Sequence, residues 1–392
     1  MQPEIETHVH RPYIQSGGTL STQIDIDPGS ADETASSHIA ICIDTSRSMN
    51  KEDKLEKAKD ALTTWVFGLL EDADRISVVT FDSEAEVVMN STRWGDVDRS
   101  AATEQIESLE ANGSTDMFGA LELAADELTN ARSTGMTAER VLLLSDGEQN
   151  SPERSVDEFE QLAERIDDRG IRIRAGGIGS EYNVETIKAL GTTGRGKWLH
   201  VQNPREIREF FGTAVEDAQT VIGTDAEVRF DFRDGVEVTK LFRAKPQVQP
   251  VEMECERGTG VVKLPDLVDR EGQKLAMELH VPDEAGGTVS LANVELRSRG
   301  KTRATATLEV TYTDDEEALA ERNEHVDLHL QRTRIRSKLG DGDLEAAKTI
   351  LGETKLEHEE TVVRGIEDEV TRVEEDGDRS SRNSTTLVDE GR

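Results

Sequence analysis

Three short stretches, far apart in the chain, carry the side chains best suited to holding a ligand. The apolar run Ile39–Ile43 ends in Asp44-Thr45-Ser46-Arg47-Ser48, an acid followed by hydroxyls at alternate positions. Gly113-Ser114-Thr115-Asp116 precedes a helical pattern, and Leu143-Leu144-Ser145-Asp146-Gly147 closes a second apolar run. Both runs read as buried parallel strands. The three stretches therefore leave one edge of a sheet, the edge at which open α/β sheets bind ligands. Taken singly, each has a plainer reading. Ser48 can cap a helix from Glu52, and Asp116 one from Met117. Asn50 and Asp53 either line a rim or begin that first helix in solvent.

Other patterns do not carry chemistry. Gly191-Thr192-Thr193-Gly194-Arg195-Gly196-Lys197-Trp198 imitates a phosphate loop. It ends in Trp where Mg²⁺ needs Ser or Thr, and it runs from helix into strand, the reverse of the required order. His325 and His329 are four apart on a helix, but no Glu follows the first and no third ligand is evident. No G-x-S-x-G elbow is present. The turns at Asp341-Gly342-Asp343 and Asp376-Gly377-Asp378 lack the bidentate Glu of a calcium loop.

The elements that must position the three stretches alternate from Ser37 to Ala218. Strands are expected at Ile39–Ile43, Ile76–Phe81, Val87–Met89, Val141–Leu144, Ile171–Ile178 and Trp198–Val201. Helices are expected at Glu52–Leu70, Ala101–Leu109, Met117–Leu128, Val156–Asp167 and Val184–Leu190. A last helix opens at Asn203-Pro204, with Asn as cap and Pro in the first helical position, and runs to Ala218. Continuous apolar strands between amphipathic helices predict a mostly parallel sheet covered on both faces.

From Ala226 to Tyr312 the period changes to two, as in Leu275, Met277, Leu279 and Val281, which predicts an antiparallel sandwich. Glu4–His10 and Leu20–Ile26 resemble those strands, so they are expected to join them, with the α/β domain inserted between. Helical periodicity returns at Glu316–Leu339, Leu344–Leu351 and Leu356–Val373. The domains expected are residues 1–36 (strands of the sandwich), 37–222 (α/β), 223–313 (sandwich), 314–374 (helices) and 375–392 (an acidic, disordered tail). The fold class is thus α/β, a Rossmann-like doubly wound sheet, plus an antiparallel β-sandwich and a C-terminal helical segment. Ser384–Val388, among acids, reads as a solvated terminus or a phosphothreonine docking motif.

The 392 residues include 81 acids against 46 bases, a formal charge of −35. That excess argues against nucleic acid, which demands clustered Lys and Arg. Arginines outnumber lysines and acids are dense throughout, a composition resembling that of proteins from salt-in halophiles. In that reading the charge describes the solvent and not the partner. No apolar run reaches the roughly 18 residues of a membrane span, and the first residues carry no signal pattern. A cytoplasmic protein is expected, its two cysteines, Cys42 and Cys255, buried and unpaired in a reducing compartment.

From Ser37 to Ala218 the chain resembles a von Willebrand factor type A domain. Asp44, Ser46 and Ser48 meet its DxSxS motif, Thr115 its threonine loop, and Asp146 the aspartate after the fourth core strand. Ser145–Asn150 and Gly170–Ile173, continuing to Gly177–Ser180, match as well. Arg47 stands where the family usually has Gly, at a position that does not ligate through its side chain. The resemblance implies a metal-ion-dependent adhesion site holding one divalent cation, usually Mg²⁺ or Mn²⁺ and sometimes Ca²⁺. Ser46, Ser48 and Thr115 would ligate directly, and Asp44 and Asp146 directly or through water. Such all-oxygen donors suit hard cations and not zinc. A carboxylate from a partner protein's Asp or Glu would complete the octahedron. The expected function is non-enzymatic protein binding, for no base or nucleophile is evident beyond the ligands themselves. The alternative is an accessory subunit of an ATPase-driven chaperone, metal-insertion or signalling complex. In either case the helix at Pro204–Ala218, leading into the strand at Ala226, is expected to couple ligation to the sandwich.

Overall fold

A computed structural model describes residues 2–30, 36–132, 137–146, 153–179, 182–256, 258–284, 286–358 and 360–376. The chain divides into two compact units. One is Ala31–Thr224, and the other combines Met1–Ser30 with Asp225–Arg392.

The first unit is built on a six-stranded sheet. In chain order its strands are β1 (Ser36–Asp44), β2 (Arg75–Phe81), β3 (Ala85–Arg93), β4 (Thr137–Ser145), β5 (Arg172–Ile178) and β6 (Lys197–Val201). They lie in the order β3-β2-β1-β4-β5-β6. All neighbours are parallel except β2 and β3, which form an antiparallel pair. Ile39–Ile43 and Val141–Leu144 have no exposed surface, as strands covered on both faces require. The order reverses direction between β1 and β4. The carboxyl ends of those two strands flank the crevice where doubly wound sheets take their ligands.

Helices α1 (Lys54–Asp60), α2 (Arg99–Glu107), α3 (Met117–Asn130), α4 (Val156–Asp168), α5 (Val184–Thr193) and α6 (Pro204–Gln219) cover the sheet. Their starts follow from local chemistry. Asn203 caps α6 by accepting from the Arg205 and Glu206 amides, with Pro204 in the first turn. Ser155 and Glu158 form a capping box at α4. The phosphate-loop mimic is a packing turn between α5 and β6. A Cβ on Gly196 would lie 1.7 Å from the Ile173 carbonyl oxygen, and Lys197 pairs with Asp217 at 3.0 Å.

The helix expected at Glu52–Leu70 is present but starts two residues later. A 3₁₀ segment covers Arg47–Asp53, in which Glu52 and Asp53 are both left-handed (φ 55° and 54°). The α-helix starts only at Lys54 and passes through a π turn at Ala61–Val66. Glu52 and the N-cap Asp53 are exposed, as a helix start in solvent requires, whereas Lys54, the first helical residue, is buried.

The second unit contains two further sheets. Glu4–Val9, Gly18–Asp27, Gln273–Val281, Glu237–Lys245 and Gln249–Pro250 form one, antiparallel throughout. Glu254–Glu256, Thr259–Lys263, Ala226–Phe232, Gly287–Ser298, Lys301–Tyr312 and Tyr13–Ile14 form the other. It is antiparallel except at the last pair. Leu275, Met277, Leu279 and Val281 are buried, with the outward His280 exposed between them. Helices Glu324–Gly340, Leu344–Glu357 and Glu360–Asp376 share a core of Ile335, Leu339, Ala347, Val363 and Ile366.

The expected helix Glu316–Leu339 is broken after Leu319. The Asn323 amide donates to the His10 carbonyl at 2.8 Å, a tertiary bond that replaces a helical one. Asp341-Gly342-Asp343 is a turn whose last residue caps the next helix through the Ala346 amide. Cys42 is buried as expected, but Cys255 is exposed, because its strand Glu254–Glu256 lies at the edge of its sheet. Gly147–Asn150, Ser180 and Ser384–Val388 lie outside the described residues. Among the described residues, no helix is long and apolar enough to cross a membrane.

Candidate metal centre

Asp44 ends β1 with no exposed surface. One carboxylate oxygen accepts the Ser46 amide at 2.8 Å, and the other accepts the hydroxyl of Ser145 from the end of β4. Burial pushes the acid up to about 6. The Ser145 and Ser46 hydrogen bonds oppose that rise, and the nearby Asp146 charge adds to it.

From Asp44 the cluster continues through hydroxyls. Ser46 Oγ and Ser48 Oγ are 3.0 Å apart, and Ser48 Oγ donates to Asp146 Oδ1 at 2.6 Å. Asp146 follows β4 directly and is buried. The loop carrying Thr115 is tied to the same edge by backbone. The Asn112 amide donates to the Thr45 carbonyl, and the Asp116 amide to the Asp82 carbonyl, both at 2.7 Å. Thr115 itself is buried. Asn50 supports this loop from outside, donating to the Ala111 carbonyl at 3.0 Å, and Asp116 caps α3 through the Gly119 amide. Asp44, Ser46, Ser48 and Asp146 thus form one hydrogen-bonded chain, with the Thr115 loop fastened beside it. Asp116 serves the helix, as its plainer reading holds.

Two residues of this cluster escaped the motif reading. Ser145 lies inside the Ser-Asp-Gly match and is the hydroxyl that reaches Asp44. Lys54 was not singled out at all. Its Nζ lies 2.5 Å from Asp146 Oδ2, and the two side chains are 8% and 1% exposed. The only sequence signal for it is spacing, since Lys54 stands four before Ala58 and eight before Leu62 and so shares their apolar helix face; in the structure all three are buried.

A sequence model of the von Willebrand factor type A domain matches residues 38–213. Those residues are a von Willebrand factor type A domain. The type A domain is a protein-interaction module. A von Willebrand factor type A protein from Catenulispora acidiphila superposes with a TM-score of 0.80 at 18% identity, covering 99% of this chain and 97% of its own. The paralog VWA2 of ArnB from Sulfolobus acidocaldarius gives 0.65 at 17% identity, over 98% and 97%. At these identities the two structures establish a shared fold. Among sequence relatives, an uncharacterized protein of Synechocystis sp. is 23% identical over 66% of this chain. YfbK, an uncharacterized protein of Escherichia coli, is 23% identical over 56%. The chain spans 61% and 38% of the length of these two relatives.

Among the described residues, no group of three His, Cys, Asp or Glu side chains is arranged to hold a metal ion. Any cation at the edge of the type A domain would depend on hydroxyls to complete two carboxylates. Asp44, Ser46, Ser48, Thr115 and Asp146 supply oxygen donors alone, the chemistry of Mg²⁺, Mn²⁺ and Ca²⁺.

Proposed function

We propose that the type A domain is a non-enzymatic binding module in which a bound divalent cation, Mg²⁺ foremost, is shared with a carboxylate of a partner protein. Ser46, Ser48 and Thr115 would ligate directly, with Asp44 and Asp146 in direct or water-mediated contact. What carries this reading is the continuous hydrogen-bonded chain from Asp44 through Ser46 and Ser48 to Asp146 at the switch point of the sheet. Two formal negative charges facing a dication leave it electrophilic, so an Asp or Glu from outside is a favourable further ligand. Among the described residues, no general base beside a nucleophile accompanies the cluster beyond its own carboxylates and hydroxyls, which supports recognition and not turnover.

Titration calorimetry with MgCl₂ tests the ion, and affinity purification with and without a chelator tests the partner. Asp44→Ala is expected to abolish Mg²⁺ uptake with the fold retained, and Thr115→Ala to weaken it less. Unchanged affinity in the Asp44 variant would overturn the assignment.

A further inference from the structure

We infer that Lys54 is a built-in rival of the dication, its ammonium occupying one oxygen of Asp146 and setting how tightly the site takes up an ion. The inference rests on the metal-binding reading above and adds a determinant of affinity to it.

Asp146 has both oxygens committed. Ser48 Oγ donates to Oδ1 at 2.6 Å, and Lys54 Nζ lies 2.5 Å from Oδ2. The lysine is held there against three local preferences. A cation in the first turn opposes the positive end of a helix dipole. Glu52 and Asp53, immediately before it, adopt the left-handed conformation that residues other than glycine rarely take. The ammonium of a lysine side chain that is 8% exposed and paired with a buried acid has also given up much of its hydration. The neighbouring strand makes room for it. Gly179, just beyond β5, has φ +84°, and a Cβ there would come within 3.1 Å of Lys54 Nζ. Strained backbone, a side-chain-free neighbour and a buried charge thus converge on a single contact, with Asp146.

The charge balance gives the consequence. Asp44 and Asp146 carry two formal negative charges, and Lys54 cancels one of them. A dication arriving at Asp146 meets a fixed positive charge within hydrogen-bond reach of its own ligand, so it binds less tightly than the five oxygens alone would allow. The ion that does bind is correspondingly less neutralised and attracts an external carboxylate more strongly. Lys54 moves affinity from the bare ion to the ion together with its partner.

The test is calorimetry of the full chain with MgCl₂ and MnCl₂, comparing the natural protein with Lys54→Met, Lys54→Gln and Asp44→Ala. Glutamine retains a hydrogen-bond donor to Asp146, so it covers the case in which methionine leaves that acid too poorly satisfied to fold. Removing the ammonium is expected to tighten both ions by about tenfold or more. It should also enlarge the rise in melting temperature on adding Mg²⁺. Uptake by the Lys54 variants alone would support the inference in its strongest form. If the natural protein binds and neither variant binds tighter, Lys54 is a structural ion pair and the inference fails. If no form takes up either ion, the metal-binding reading itself fails.

Discussion

Ser48 donates a 2.6 Å hydrogen bond to Asp146 although 98 positions separate them in the chain. The contact is possible because β1 and β4 are parallel neighbours, pairing from Ser36 with Thr137 to Ile43 with Leu144. That register delivers the loop after Asp44 and the residue after Ser145 to one place. Side chains from distant stretches then complete one another's hydrogen bonds.

Ser145 is the member of that cluster whose loss is easiest to read. Its hydroxyl serves a carboxylate with no exposed surface, and an unsatisfied buried acceptor costs about 1–3 kcal/mol. Ser145→Ala should lower stability by that amount in chelator. Denaturant unfolding followed by tryptophan fluorescence measures it in the right unit, because Trp65, Trp94 and Trp198 all lie in the type A domain. No loss of stability would mean that Asp44 is not held as described.

His38 makes the same domain sensitive to acid. It is fully buried in β1, with Nε2 2.6 Å from Ser91 Oγ. Burial, reinforced by the charges of Arg75 and Arg132, pushes it down to about 4. The folded value lies below the unfolded one of about 6.5, so the fold holds the neutral ring. The associated stability is complete above that unfolded value and drains away as pH falls toward 4. Between pH 7 and 4.5 the loss from this group should be about 2 kcal/mol. His38→Gln should flatten the pH dependence of the fluorescence-detected midpoint by that amount. Parallel pH profiles for the two proteins would exclude His38 as the acid-sensitive group.

Gly196 should tolerate no side chain. An added Cβ would stand 1.7 Å from the Ile173 carbonyl oxygen, inside the backbone of β5, where nothing flexible can yield. Gly196→Ala is expected to cost more than about 3 kcal/mol, seen as a collapse of the fluorescence midpoint or of soluble yield. Gly212→Ala is the control, since its Cβ would make only an ordinary 3.6 Å contact with Leu69. Equal stability of the two variants would contradict the packing of β5 against the turn before β6.

Much of this protein is legible without coordinates. The apolar runs Ile39–Ile43 and Val141–Leu144, the Asn203-Pro204 helix start and the period-two strand at Leu275–Val281 all announce their structure. Each depends on neighbours within a few residues, where hydrogen-bond geometry and side-chain period are written locally. The order of Asp44, Ser46, Ser48, Thr115 and Asp146 along those elements was also enough to mark one sheet edge. Only the tertiary structure decided the rest. It moved the helix start from Glu52 to Lys54, turned Lys54 onto Asp146, set Asn323 against the His10 carbonyl and left Cys255 on an open edge. Those outcomes depend on which charges and backbone groups meet across long stretches of chain. A buried ammonium settles where a carboxylate from another strand can balance it, and no local pattern around the lysine specifies that partner.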